Sequence, residues 1–405
     1  MANLFKRQME RLPQLETGVI IWDTLNGKKE KYSDGTTKIK LGVTGGRIYC
    51  FSGPTSTGKT SIALDLAYDI VKDYENGHIY LMDFEHAFEP IRVQQLTGLY
   101  IDEISDKFDL IENVGKKSLF DEAGDREPIT VTSIGKLVRQ LYDFKMAHKS
   151  DLLTIIDGES YLEPTIIIID SIAGTITDKQ QEEGNSNNMT GATRAKDLGE
   201  TFNILNPLLA PANITLFLIN HLHEDVQTGM TPKAAILRDL KQGENLPGGK
   251  ALNYLIGTNV ILRRGPKIKE DKGYGIDGNY IDMLLAKSRG AATGKVRSLI
   301  FVPEKGFLWD LSLFDYLVDN GKLAGGSKFE IPGYPKKVSR KEAVQLCEND
   351  KEFINALRAV GKVALCELIP EAQTRELTPE ESATEEAKIM ATFLDAPGEG
   401  TERTE

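Results

Sequence analysis

The chain has 405 residues, enough for one large α/β domain plus a smaller one. Its 40% hydrophobic and 27% charged content is ordinary for a soluble globular protein, and its apolar stretches, such as Ile166 to Ile169, are far too short to span a bilayer. The net charge of −11 is uneven: residues 371–405 carry ten acids and three bases, a net of −7, which leaves −4 for the other 370 residues, so overall acidity does not exclude nucleic acid.

Residues 1–16 place Leu4, Phe5, Met9, Leu12 and Leu15 on one helical stripe, which predicts a short helix packed on its own domain or on a neighbouring subunit. The start lacks an apolar h-region and a cleavage site, so no signal peptide is expected. A polar, charged loop follows from Asn26 to Lys40. Cys50, Cys347 and Cys366 show no metal-ligand spacing, fit a reducing interior and are read as packing residues.

The apolar stretch Arg47 to Phe51 reads as a buried strand, and Ser61 to Tyr68 has apolar residues at helical spacing. Between them stand Gly53, Pro54, Thr55, Ser56, Thr57, Gly58, Lys59, Thr60 and Ser61, which match G-x-x-x-x-G-K-[ST]. Glycines let the backbone N–H groups turn toward phosphate oxygens, and the helix N-terminus adds its positive end. Lys59 can then reach the β- and γ-phosphates, and Thr60 can ligate Mg²⁺. A bound nucleoside triphosphate is the expectation.

Further strands are predicted at 78–84, 165–170, 215–220, 259–264, 279–287 and 298–303, with helical patterns at 60–74, 132–148, 192–210 and 250–256. The alternation predicts a mainly parallel, twisted sheet with helices on both faces. Residues 114–164 are long for one crossover, so extra surface elements are expected there. No internal repeat is evident. The divisions expected are 1–35, an oligomerisation helix and loop; 36–325, the α/β core; 326–370, a small C-terminal domain with a helical pattern from Arg340 to Leu368; and 371–405, an acidic, disordered tail.

Three strand ends carry candidate chemistry. Thr165 to Asp170 is a β-branched run that delivers a carboxylate to the C-terminal edge, where open α/β sheets bind ligands, and Asp170 is the candidate holder of Mg²⁺ beside Thr60. Tyr80 to Pro90 ends a strand with Asp83, Glu85 and Glu89. Glu85 can orient and deprotonate water, or these acids can equally serve as a helix N-cap. Leu216 to His223 ends in Asn220-His221, a pair able to feel a γ-phosphate; His221 and His223 have no nearby third ligand for a metal.

Together these residues resemble the RecA recombinase family, and most closely its phage branch, the UvsX-type recombinases. The resemblance rests on Gly53 to Ser61, Leu81 to Pro90, Ile169-Asp170-Ser171, Gly248-Gly249-Lys250-Ala251-Leu252 and Val260 to Arg264, and it covers about residues 40–325. It implies a RecA-like ATPase core using ATP and Mg²⁺. It makes Glu85 the glutamate that activates water, Asn220 and His221 the γ-phosphate sensors, and Lys287 and Arg289 the basic residues that reach the ATP of the adjacent subunit. His221 stands where cellular members carry Gln, which adds a pH dependence. Glu89 matches an acid near the base, and Arg92 replaces an aromatic that stacks on it. DNA contacts are implied for two loops, about 178–196 with Met189 and Arg194, and 222–247 with Lys233, Arg238 and Lys241, leading into Gly248, Gly249 and Lys250. Composition alone makes both loops ordinary surface, with three acids and three bases in the first and four acids and three bases in the second.

The resulting expectation is a cytoplasmic DNA-dependent ATPase, acting in a bacterial host if phage-encoded. It would form helical filaments of itself on single-stranded DNA and exchange strands with homologous duplex DNA. A recombination mediator and a single-strand-binding protein are expected partners, and no membrane. The alternatives are a ring-forming replicative helicase on the same fold and a non-catalytic ATP-binding scaffold.

Overall fold

The computed structural model describes residues 12–31, 37–115, 126–183, 190–224, 244–268 and 273–372. A nine-stranded sheet organises the chain. Its strands are β1 (Ile48–Gly53), β2 (His78–Asp83), β3 (Phe108–Ile111), β4 (Thr165–Asp170), β5 (Ile214–His221), β6 (Thr258–Lys267), β7 (Asn279–Ser288), β8 (Val296–Val302) and β9 (Gly306–Phe307). They lie side by side in the order β9-β8-β7-β6-β1-β5-β4-β2-β3. The six from β6 to β3 pair in parallel, and β7, β8 and β9 extend the sheet antiparallel. The mainly parallel α/β architecture expected from the alternation of elements is present.

Burial on both faces explains the sequence of the central strands. Along β4, Ile166 and Ile168 enter one core with Phe51, Phe217, and Ile62, Leu66 and Ile70 of α1 (Lys59–Val71). Ile167 and Ile169 enter the other, against α3 (Val131–Ala147) and α4 (Thr190–Ala212); α2 is the short Ile91–Thr97. A strand covered on both faces has no solvent side, so it reads as an unbroken apolar run. A third cluster joins Tyr280 and Ile300 of the sheet to α6 (Trp309–Asp319), α7 (Arg340–Asn349) and α8 (Lys351–Cys366), which follow α5 (Gly249–Leu255).

Several local readings change. Edge strand β3 was not expected: Phe-Asp-Leu-Ile is too short and too polar to announce itself. Leu15 lies on a two-residue strand paired with Val43–Thr44 rather than on a helical stripe; residues 1–11 lie outside the described residues. The pattern from Arg340 to Leu368 is two helices, because Asp350 accepts the Phe353 N–H at 3.0 Å and starts a new one. In the long crossover, Leu153–Ile156 and Glu159–Leu162 form a surface hairpin. Glu371–Ala372 adds a parallel strand to Lys28–Lys31, while the rest of the acidic tail is outside the described residues.

Two ionisable side chains, one buried and one partly buried, tie the layers together. Lys145 of α3 is 4% exposed and donates to Glu163 O, Thr165 Oγ1 and Ala212 O at 2.6, 2.8 and 2.9 Å, and burial pulls its ammonium down to about 7. Asp65 of α1 accepts from Trp309 Nε1 of α6, and burial pushes its carboxyl up to about 7. A raised acid binds its proton more tightly folded than unfolded. Its contribution to stability is therefore largest in acid and is lost as pH climbs from about 4, the free-carboxylate value, toward about 7. Asp65→Asn keeps an acceptor for Trp309 without ionising. Relative to wild type, it is expected to be more stable at pH 8 than at pH 5, by on the order of 1 kcal/mol, in urea melts at the two pH values.

Candidate functional site

Parallel register brings the strand ends to one edge. Asp170 at the end of β4 lies opposite Asp83 at the end of β2, and His221 at the end of β5 lies opposite Gly53 at the end of β1. A cavity of about 640 Å³ opens there, a volume that suits a nucleotide-sized ligand. Thr55, Ser56, Gly58, Lys59, Thr60 and Ser61 line one side, with Asp83, Glu85, Glu89, Arg92, Asp170 and His221 among the facing residues.

The loop from β1 to α1 is shaped by its glycines. Gly58 sits at φ +77°, where L side chains are strained, and a Cβ there would come within 2.9 Å of the Phe307 ring. A Cβ on Gly53 would lie 2.4 Å from the Leu262 carbonyl oxygen. Thr57 Oγ1 and Lys59 Nζ both donate to Pro54 O, at 2.9 and 2.7 Å, which closes the loop on itself. Lys59 is only 5% exposed, and burial lowers its pKa against the pull of Asp170 and Glu85.

The acids facing it are held by specific donors. Thr60 Oγ1 donates to Asp170 Oδ2 at 2.6 Å. Burial, reinforced by the charges of Glu85 and Asp83, pushes Asp170 up to about 6. Glu85 Oε1 accepts from Ser171 Oγ and lies 3.2 Å from His221 Nε2. Asp83, 2% exposed, accepts the N–H groups of Glu85 and Phe88 at 3.1 and 2.8 Å, so it shapes the turn that carries Glu85. This donor set fits a magnesium–triphosphate group: a hydroxyl and a carboxylate in contact, a lysine, and a helix start, in a cluster whose acids repel until a cation joins them.

The other expected residues divide. Arg92 lines the cavity and is anchored by Nη1 to Pro303 O at 2.9 Å, next to Phe301. Asn220 is 1% exposed and does not line the cavity. Its Nδ2 donates to Pro247 O at 2.9 Å, which ties the end of β5 to the segment opening α5. Lys287 and Arg289 are not in this cavity. They donate to Asn253 O at 2.5 Å and Tyr254 O at 2.7 Å, capping the C-terminus of α5 at the opposite edge of the sheet. Arg194 is engaged inward by the carbonyls of Ala173 and Thr175, at 2.8 and 3.4 Å. Gly248 and Gly249 open α5, and Lys250 is exposed on it. Met189, Lys233, Arg238 and Lys241 lie outside the described residues.

The sequence offered Asp83 as one of the strand-end acids but gave no role to Ser171, Arg264, Phe301 or Pro303. Ser171 directly follows Asp170 at the end of β4, and that adjacency was the signal for it. Phe301 and Pro303 come from β8 and its exit, and only the folded sheet brings them beside the loop.

The fold and this edge define an α/β protein of the phosphate-loop class. Among curated proteins, the chain is similar to RecA of Staphylococcus epidermidis, 24% identical over 316 residues, covering 73% of this chain and 75% of that protein. RecA of Ruminococcus albus is 24% identical over 332 residues, 82% of this chain and 70% of its own, and RecA of Staphylococcus aureus is 25% identical over 317 residues. No protein-family model matches. The likeness to these proteins supports a RecA-family recombinase. No helix among the described residues is long and apolar enough to cross a membrane.

Lys59→Ala is expected to weaken binding of a fluorescent ATP analogue at least about tenfold, or 1.4 kcal/mol, with an unchanged far-UV circular dichroism spectrum. Equal affinity for the two proteins would remove Lys59 from the site.

Proposed function

We propose that the chain is an ATP-dependent recombinase of the UvsX-type phage branch. It forms a helical filament on single-stranded DNA and catalyses homologous pairing and strand exchange in recombination, repair and recombination-dependent replication. The observation that carries this reading is the convergence of Lys59, Thr60, Asp170, Glu85 and His221 on one cavity, in a chain that resembles RecA proteins over 73% of its length.

The geometry supports the following roles. The loop N–H groups and Lys59 bind and orient the triphosphate, with Arg92, Glu89 and Phe301 near the base. Thr60 and Asp170 would hold Mg²⁺, which when bound supplies charge neutralisation at the phosphates. Glu85 takes the proton from the attacking water. Asp83 fixes its backbone, while Ser171 and His221 hold one carboxylate oxygen and leave the other for water. Asn220 carries the state of this edge to Pro247 and hence to Gly248, Gly249 and Lys250, where backbone N–H groups suit a DNA phosphate without sequence preference. Lys287 and Arg289, at the far edge, serve the nucleotide of the next subunit, so hydrolysis depends on assembly. A recombination mediator and a single-strand-binding protein are proposed partners, and the acidic tail competes with DNA phosphates for the basic residues of the two loops.

ATP hydrolysis with and without single-stranded DNA tests the reading. Wild type should be stimulated by DNA. Glu85→Gln should lose hydrolysis by about a hundredfold or more while still binding nucleotide. Lys287→Ala should lose DNA stimulation in proportion to its share of the neighbour's site. Wild-type activity indifferent to DNA, or a fully active Glu85→Gln protein, overturns the assignment. Electron microscopy with ATP and single strands separates a filament from the closed ring of a helicase.

A further inference from the structure

A second cavity, of about 290 Å³, lies at the opposite edge of the sheet, where β1 and β6 begin and β7 ends. Its charged lining is lopsided: Lys28, Lys40, Arg47 and Arg289 face a single carboxylate, Glu30. Glu30 is 3.0 Å from Lys40. Among the described residues, no ion pair joins Lys28, Arg47 or Arg289 to an acid.

The cluster is built rather than scattered. Lys28 crosses the backbone of Gly290 so closely that a Cβ there would lie 1.9 Å from its Cε and 2.2 Å from its Nζ, so a side chain at 290 would displace the end of this lysine. Thr44 Oγ1 accepts from Lys28 Nζ at 3.4 Å, and Tyr49, 3% exposed, anchors Thr44 by accepting its N–H at 2.7 Å. Arg289 is pinned by its bond to Tyr254 O. Burial lowers the pKa of both Lys28 and Arg47; Glu30 opposes this at Lys28 while Lys40 and Arg47 add to it, and Arg289 adds to it at Arg47. Positive groups gathered at this cost, with one paired acid between them, are complementary to a multivalent anion. The arginine forks match phosphoryl oxygens in pairs.

We propose that this cavity is a phosphoryl-binding site in which Lys28 and Arg47 act with Arg289. The phosphoryl group comes either from a free di- or triphosphate or from the nucleotide held by a second copy of the chain. The latter source rests on the recombinase reading above, and it would make Lys28 and Arg47 additional cations serving the neighbour's site.

Two measurements test it, on the full chain. First, inorganic pyrophosphate is titrated calorimetrically into Lys59→Ala and into Lys59→Ala carrying Lys28→Ala and Arg47→Ala. The added pair should weaken binding by at least about tenfold, with melting temperatures checked to confirm folding. Second, ATP hydrolysis is measured for Lys28→Ala/Arg47→Ala alone and mixed with Glu85→Gln chains, whose cation edge is intact. Restored hydrolysis in the mixture assigns the phosphoryl group to a neighbouring copy. Weaker pyrophosphate binding without restoration assigns it to a free anion. Unchanged pyrophosphate affinity, with hydrolysis either normal or lost without restoration, overturns the site. The pyrophosphate titration stands even if the chain proves not to hydrolyse ATP, so failure of the recombinase reading and failure of this site are separable.

Discussion

The register of the parallel strands is the constraint on which the site depends. Because β1, β2, β4 and β5 run in one direction with aligned ends, Gly53, Asp83, Asp170 and His221 arrive together. Cores on both faces hold that register, since a slip of one residue would exchange the Ile166/Ile168 set with the Ile167/Ile169 set. The alignment has a cost, visible in the pKa of Asp170, which burial raises first and the charges of Glu85 and Asp83 raise further. Donors offset it one by one: Thr60 to Asp170, two backbone N–H groups to Asp83, and Ser171 and His221 to Glu85.

The same sheet explains why the cations lie elsewhere. Strand β7 runs antiparallel to β6, so its end reaches the edge where the parallel strands begin. Lys287 and Arg289 therefore cannot serve the cavity of their own chain, and Arg289 instead gathers with Arg47 and Lys28. One edge concentrates acids around a phosphate loop, and the other concentrates cations. Two copies stacked edge to edge would present complementary surfaces, as the proposed assembly-dependent hydrolysis requires.

Legibility followed burial. The phosphate loop, the isoleucine run and the strand ending in Asn220-His221 were readable because two-sided burial and left-handed glycines leave strong patterns in the chain. Edge strand β3 was not, since one side faces solvent and its four residues carry Asp109. The break at Asp350 was masked because apolar spacing continues across it, and only its cap hydrogen bond marks the new helix. Arg194 looked like a free basic residue in a loop, yet two backbone carbonyls engage it.

By itself the sequence determined the class of ligand edge: local backbone demands fix a glycine turn, a lysine and a hydroxyl at a helix start, whatever surrounds them. It also determined the α/β alternation, because periodicity is written residue by residue. Only the tertiary structure decided which acids meet that lysine, that Asp83 shapes the turn carrying Glu85, and that Phe301 and Pro303 join the cavity. It alone brought Lys28 across Gly290 to Arg47 and Arg289. Those contacts join residues far apart in the chain, and their geometry exists only once strand order and direction are set.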